Sequence, residues 1–217
     1  MSTSYLVAKS SVIEELIVNR SRFICYLAPS ASIEQTKVFL KHVQQLHPQA
    51  SHHCYAYLAE RADSRQHYGF SDDGEPSGTA GKPMLTVLQG HGVGEICAVV
   101  VRYFGGTKLG TGGLQRAYSG SVRQALALLT SKIKIPMVSK TLACQYSQIT
   151  DVLHVIEKLG GFVIEQVFSD GVNLQVKLPE DNLDIIAKKI KTISSGSIVL
   201  HELDESNELT PSNESPN

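Results

Sequence analysis

Val99–Leu129 reads VVVRYFGGTKLGTGGLQRAYSGSVRQALALL. It begins as an apolar strand, passes through Gly105, Gly106, Gly110, Gly112 and Gly113, and continues as a helix. The strand reaches back to Glu95, and so long an apolar run predicts a central strand covered on both faces. In the helix, Leu114, Ala117, Tyr118, Val122, Ala125, Leu126 and Leu129 recur in steps of three and four, which marks a buried stripe. Arg116, Ser119 and Arg123 share another face, because residues seven apart nearly align. Glycines at a helix start expose backbone N–H groups, and the helix dipole favours an anion there. Arg102 and Lys108 add positive charge beside the turn. The competing reading is structural: the glycines allow positive φ and close strand–helix packing.

The familiar nucleotide patterns do not fit this turn. A P-loop needs G-x-x-x-x-G-K-[ST], because its lysine must reach the β- and γ-phosphates. Gly105 and Gly110 have that spacing, but Thr111 and Gly112 follow. A dinucleotide fingerprint starting at Gly110 needs a third glycine where Gln115 stands.

Working outward toward the N-terminus, Ser11–Ser30 reads as two strands around the turn-like Asn19-Arg20-Ser21. A helix follows, with Ser32 as N-cap and Gln35 placed for a capping box; Ile33, Val38, Leu40 and Val43 form its stripe and Pro48 stops it. Ser51–Glu60 is strand-like. His52 and His53 are adjacent, so on a strand they point to opposite faces. Tyr55, Tyr57, Tyr103 and Phe104 are candidates for stacking on bases, although aromatic residues on strands more often serve the core. Residues 61–82 have no apolar period, and a structureless loop of that length is usually functional or mobile. Within it, Asp72, Asp73 and Glu75 are weak candidates for a Mg²⁺ or Ca²⁺ site, set against an ordinary turn-rich loop.

Toward the C-terminus, Ser131–Pro136 reads as a linker. The order that follows is β-α-β-β-α-β: strands at Val138–Tyr146, Gly161–Phe168, Val172–Leu178 and Ser197–Leu203, helices at Gln148–Leu159 and Glu180–Ile193, and a tight hairpin at Ser169–Gly171. This is the ferredoxin-like pattern. Residues 204–217 are polar and acidic and read as a disordered tail.

The whole chain has 217 residues and a formal charge of −1, but the charge is unevenly placed. Residues 1–134 hold 14 Lys and Arg against 9 Asp and Glu, whereas the remainder holds 6 against 12. The first part is therefore suited to an acidic partner. Cys25, Cys54, Cys97 and Cys144 are scattered among apolar residues, which points to buried thiols in a reducing compartment. No apolar run approaches the ~20 residues of a membrane helix, so a cytoplasmic protein without a membrane partner is expected.

GFSDDGEPSGTAGKPML (Gly69–Leu85) followed by VVVRYFGGTKLGTGGLQRAY (Val99–Tyr118) closely resembles the signature of the IMPACT family, nearest to its bacterial branch. SRFI at Ser21–Ile24 and HHC at His52–Cys54 extend the resemblance. The family implies an α+β protein: a domain like the second domain of ribosomal protein S5 over 1–134, then a ferredoxin-like domain over 137–203, similar to the last domain of elongation factor G. Eukaryotic relatives compete for the scaffold that activates the amino-acid-starvation kinase, but they carry a different partner domain. Some relatives bear a dipeptidase label, and no metallopeptidase ligand set is present in this sequence.

The resemblance implies a translation-linked role; with the net positive first part and the basic helix face it leads to the expectation of a non-catalytic regulator that binds RNA or the ribosome, or a protein partner of the translation machinery, with no cofactor. Its expected phosphate contacts are Arg102, Gly105, Gly106, Lys108, Gly112, Gly113, Arg116 and Arg123, with Lys82 entering from the loop. Two alternatives stand beside it. One is a Mg²⁺-dependent phosphoryl-transfer or hydrolytic enzyme holding phosphate at the glycines; the same superfold hosts small-molecule kinases, although their G-L-G-S-S serines are missing from GTGGLQRA. The other is a protein-interaction module using the 61–82 loop or the exposed sheet of the second domain.

Overall fold

A computed structural model describes residues 4–64 and 66–203 of the chain. The expected tail at 204–217 lies outside the described residues. The chain divides into two compact units, Tyr5–Lys134 and a second that takes up the sequence from Ile135.

The first unit is built on a five-stranded antiparallel sheet of β2 (Val12–Val18), β3 (Ser21–Pro29), β4 (His52–Leu58), β5 (Tyr68–Ser71) and β7 (Ile96–Tyr103), in the order β2-β3-β7-β4-β5. The apolar run Ile96–Val101 is β7, and it is fully buried at the centre. Alternation divides its side chains between two cores. Ile96, Ala98 and Val100 face α2 (Gly81–His91) and α3 (Gly110–Ala127), while Cys97, Val99 and Val101 face α1 (Ile33–Leu46). The α3 stripe packs as its spacing demands: Leu114, Ala117, Tyr118, Val122, Ala125 and Leu126 are all buried.

Ser32 caps α1 by accepting from the Gln35 N–H at 3.2 Å. Gln35 reaches back one residue beyond the usual box, and its Oε1 accepts from the Ala31 N–H at 2.8 Å.

Two sequence expectations are corrected here. The 61–82 stretch is not structureless: it contains β5, paired with β4, and it delivers the first turn of α2. Ser131–Lys134 is not a linker but a strand, β8, antiparallel to β1 (Tyr5–Ala8), which also pairs in parallel with β6 (Val93–Gly94). All four β8 residues are exposed, so no hydrophobic alternation announces the strand.

The second unit runs β9 (Met137–Cys144), α4 (Ile149–Lys158), β10 (Phe162–Phe168), β11 (Val172–Pro179), a 3₁₀ turn (Glu180–Asn182), α5 (Leu183–Ile193) and β12 (His201–Glu202). Its sheet order is β10-β11-β9-β12 with antiparallel neighbours, the ferredoxin-like arrangement. Alternate residues of β9 and β11, among them Leu142, Cys144, Leu174 and Val176, meet Val152 and Ile156 of α4 and Ile186 and Ile190 of α5.

All four cysteines are buried and free. Burial is the leading cause that pushes the Cys54 and Cys97 thiols up to about 12, and it raises Cys25 and Cys144 as well. A free thiol near 8.5 is about one-quarter thiolate at pH 8, whereas one near 12 is about one ten-thousandth. Alkylation of Cys54 and Cys97 in the native protein at pH 8 is therefore expected to run at least ~1,000-fold slower than in denaturant. Mass spectrometry after timed quenching reads this directly; rapid native labelling of either thiol would contradict the burial.

Candidate functional site

Arg102 follows Val100 on the α2/α3 face of β7, so the sheet drives it inward. Its side chain is 7% exposed and donates from Nη1 to Glu75 Oε1 at 2.6 Å. Tyr118 Oη donates to the same oxygen at 2.8 Å, and His52 Nε2 lies 3.9 Å away. The guanidinium sits over the rings of Phe23 and Phe104, while its Nε is buried without an acceptor. Burial above all, then Cys54 and Glu75, hold the Tyr118 phenol far above its usual range, so it remains a donor. The expected phosphate contact Arg102 is thus engaged in the core. Neither Tyr118 nor His52 was expected here. The available signal was parity: a charged residue in register with buried Ile96, Ala98 and Val100 requires an internal counter-charge.

The acidic loop is occupied by its own backbone and neighbours. Asp72 Oδ1 accepts from the N–H groups of Ala80 and Gly81 at 2.9 and 2.8 Å, and Oδ2 accepts from Gly78 at 2.8 Å. Asp72 therefore satisfies the start of α2 from nine residues upstream, where the local N-cap, Ala80, has no side-chain acceptor to offer. Asp73, at φ +42°, accepts from the His53 N–H at 2.6 Å, and its carbonyl oxygen meets His52 Nδ1 at 2.7 Å. The two histidines do point to opposite faces, His53 Nε2 contacting the His47 carbonyl oxygen. Among the described residues, no three His, Cys, Asp or Glu converge on a metal position.

The glycine turn is first of all a corner. A Cβ on Gly105 would lie 2.1 Å from the Arg20 carbonyl carbon, a backbone clash that requires glycine. Gly106 and Gly110 sit at φ +84° and +70°. Gly113 lies close against Leu109, whereas a Cβ on Gly112 would meet only the Arg116 guanidinium, at 3.5 Å. The first turn of α3 has no side-chain cap, and Lys108 stands exposed just before it. Tyr55, Tyr57 and Tyr103 pack around the α1 core, which leaves Phe104 as the exposed ring of that group.

Three expected contacts do come together. Lys82 lies in the first turn of α2, and Arg116 and Arg123 lie on α3. They line one groove of about 630 Å³ between the two helices, with Thr86, Val87 and Gln115. The hollow continues past Gly90 and His91 to Leu126 with a further volume of about 450 Å³. Among the described residues no carboxylate lines either stretch. Among the described residues no ion pair holds Lys82, Arg116 or Arg123; Arg123 only donates to Ser119 Oγ at 3.4 Å. Gln115 ties the groove's lip by donating from Nε2 to the Gly78 carbonyl at 3.3 Å. The second unit has a smaller hollow of about 310 Å³ on its open sheet face, with Glu165 and His201 in its lining.

Residues 19–126 match the family model of the Impact N-terminal domain, and residues 142–197 match a domain of unknown function. The chain is 46% identical over 198 residues to the IMPACT family member YigZ of Escherichia coli (strain K12), covering 91% of this chain and 96% of that protein. The chain belongs to the IMPACT family. An IMPACT family member of Haemophilus influenzae is 44% identical over 200 residues, 92% of this chain and 97% of its own length. A solved structure described only as a hypothetical protein superposes with a TM-score of 0.70 at 44% identity, covering 94% of this chain and all of that one. Charged residues within the matched span 19–126 include two physical groups. Asp72, Glu75 and Arg102 hold the fold, while Lys82 and Arg116 present charge in the groove.

Proposed function

We propose that this protein is a non-catalytic, translation-linked regulator that binds RNA or the ribosome through the α2–α3 groove of its first unit. One observation carries the reading: Lys82, Arg116 and Arg123 line a single groove in which no carboxylate of the described residues neutralises them. Unpaired cations held on rigid helices attract phosphates, and the contacts release condensed counterions. The net positive first unit adds a favourable field around the groove. Lys108 and the uncapped first turn of α3 extend the phosphate contacts toward Gly112 and Gly113. Arg102, Gly105 and Gly106 are left out, because their roles are internal. The Mg²⁺-enzyme reading has no comparable support, since Asp72, Asp73 and Glu75 all satisfy protein donors. Among the described residues, no helix is long and apolar enough to cross a membrane.

The test is co-sedimentation with ribosomes and bulk RNA across a salt series starting near 50 mM. Each phosphate contact contributes roughly 0.7–0.9 to the slope of log affinity against log salt. Arg116→Glu combined with Arg123→Glu is therefore expected to flatten that slope by about 2 while leaving the melting temperature close to wild type. Absence of binding at 50 mM, or binding indifferent to the double reversal, would overturn the proposal.

A further inference from the structure

The lining of the α2–α3 groove also discriminates between forms of RNA. We infer that its ligand is the phosphate–ribose backbone of an A-form RNA duplex rather than an unstacked single strand. This inference rests on the reading of the groove as an RNA site and specifies the ligand.

Recognition of single strands depends on planes on which successive bases stack, chiefly aromatic rings and secondarily Arg guanidinium groups. Among the described residues the groove has no aromatic ring beside its cations: its lining includes Lys82, Thr86, Val87, Gln115 and the two arginines, and His91 lies at the far end. The rings that could stack lie elsewhere. Tyr55 and Tyr57 stack on each other at 6.5 Å, and Phe104 covers Arg102.

The groove does offer what a duplex backbone presents. Arg116 and Arg123 are two turns apart on one helix, about 10 Å along its axis. Lys82 lies across from them on α2, and the packing of α2 against α3 fixes the spacing of the two helices before any ligand arrives. Cations carried at a fixed backbone spacing suit a ligand whose own phosphate spacing is rigid, because less ordering remains on binding. Thr86 donates its own proton to the Lys82 carbonyl at 3.1 Å, so its exposed hydroxyl oxygen is left as an acceptor. Gln115 likewise uses its Nε2 on Gly78. Acceptors beside cations suit a ribose, whose 2′-OH can donate, next to its phosphates; DNA lacks that donor.

The experiment titrates the full chain, at ~50 mM salt, with a labelled RNA duplex of ~16 base pairs, each of its strands alone, and the DNA duplex of the same sequence. The duplex RNA is expected to bind about tenfold tighter than either strand and several-fold tighter than the DNA. Thr86→Val, which keeps the side-chain shape, is expected to narrow the RNA-over-DNA ratio without lowering the melting temperature. Single strands binding as tightly as the duplex would overturn this inference and leave the proposed function standing. No binding to any of the four would overturn this inference, and co-sedimentation with ribosomes and bulk RNA would then decide the proposed function by itself. Equal affinity for the RNA and DNA duplexes, unmoved by Thr86→Val, would overturn the ribose recognition.

Discussion

Glu75→Ala is expected to lower the stability of the first unit by about 3–5 kcal/mol, since it leaves a buried cation without its counter-charge. Arg102 is 5% exposed and its Nε already lacks an acceptor, so water cannot readily take the place of the carboxylate. Tyr118 loses its acceptor in the same substitution. A loss of that size is a large share of the 5–15 kcal/mol that holds a typical domain together. For a unit of this length it corresponds to a fall in melting temperature of about 10–20 °C. The compensating pair Glu75→Leu with Arg102→Met is expected to recover most of the loss, because a buried ion pair often yields little net stability over apolar residues of similar volume. Calorimetry of the three proteins decides it. A Glu75→Ala protein that melts within 2–3 °C of wild type would show that the pair is not buried as described.

The second large effect is expected at Asp72. Its carboxylate accepts from three backbone N–H groups, those of Gly78, Ala80 and Gly81, and so closes a loop and starts a helix at once. A single N-cap replaced by alanine costs about 0.5–2 kcal/mol, and each buried donor left without a partner costs about 1–3. Asp72→Ala is therefore expected to cost about 2–4 kcal/mol in urea unfolding, and Asp72→Asn, which keeps one acceptor oxygen, roughly half as much. Equal stability of the two variants would mean that the acceptor oxygen kept by asparagine contributes nothing.

These side chains also explain which parts of the molecule the sequence discloses. β7 and α3 are legible because burial imposes a pattern: an unbroken apolar run in one, a stripe of period 3.6 in the other. The α1 cap is legible because its donor and acceptor are three residues apart. α2 is hidden because Pro83 and Gly90 interrupt it and its capping carboxylate comes from Asp72, outside any local window. β8 is hidden because all of its residues face solvent and its pairing partner is β1. The same reasoning divides the candidate site. Arg116 and Arg123 are placed together by helix geometry alone, whereas the fate of Arg102 depends on Glu75, 27 residues away. Lys82 joins the groove through the packing of α2 on α3, which no spacing reveals.

The pairing of β1 with β8 has a consequence for how the protein is made. β1 leaves the ribosome first, but Ser131–Lys134 emerges more than a hundred residues later. At synthesis rates of about 5–20 residues per second, that gap lasts roughly 6–25 seconds. Throughout it, the five-stranded sheet can assemble behind a leading segment that still lacks one neighbour. The clasp of Lys9 N–H on the Thr130 carbonyl at 2.9 Å then closes the unit. The nascent chain thus completes its first unit only when the last of its strands has been delivered.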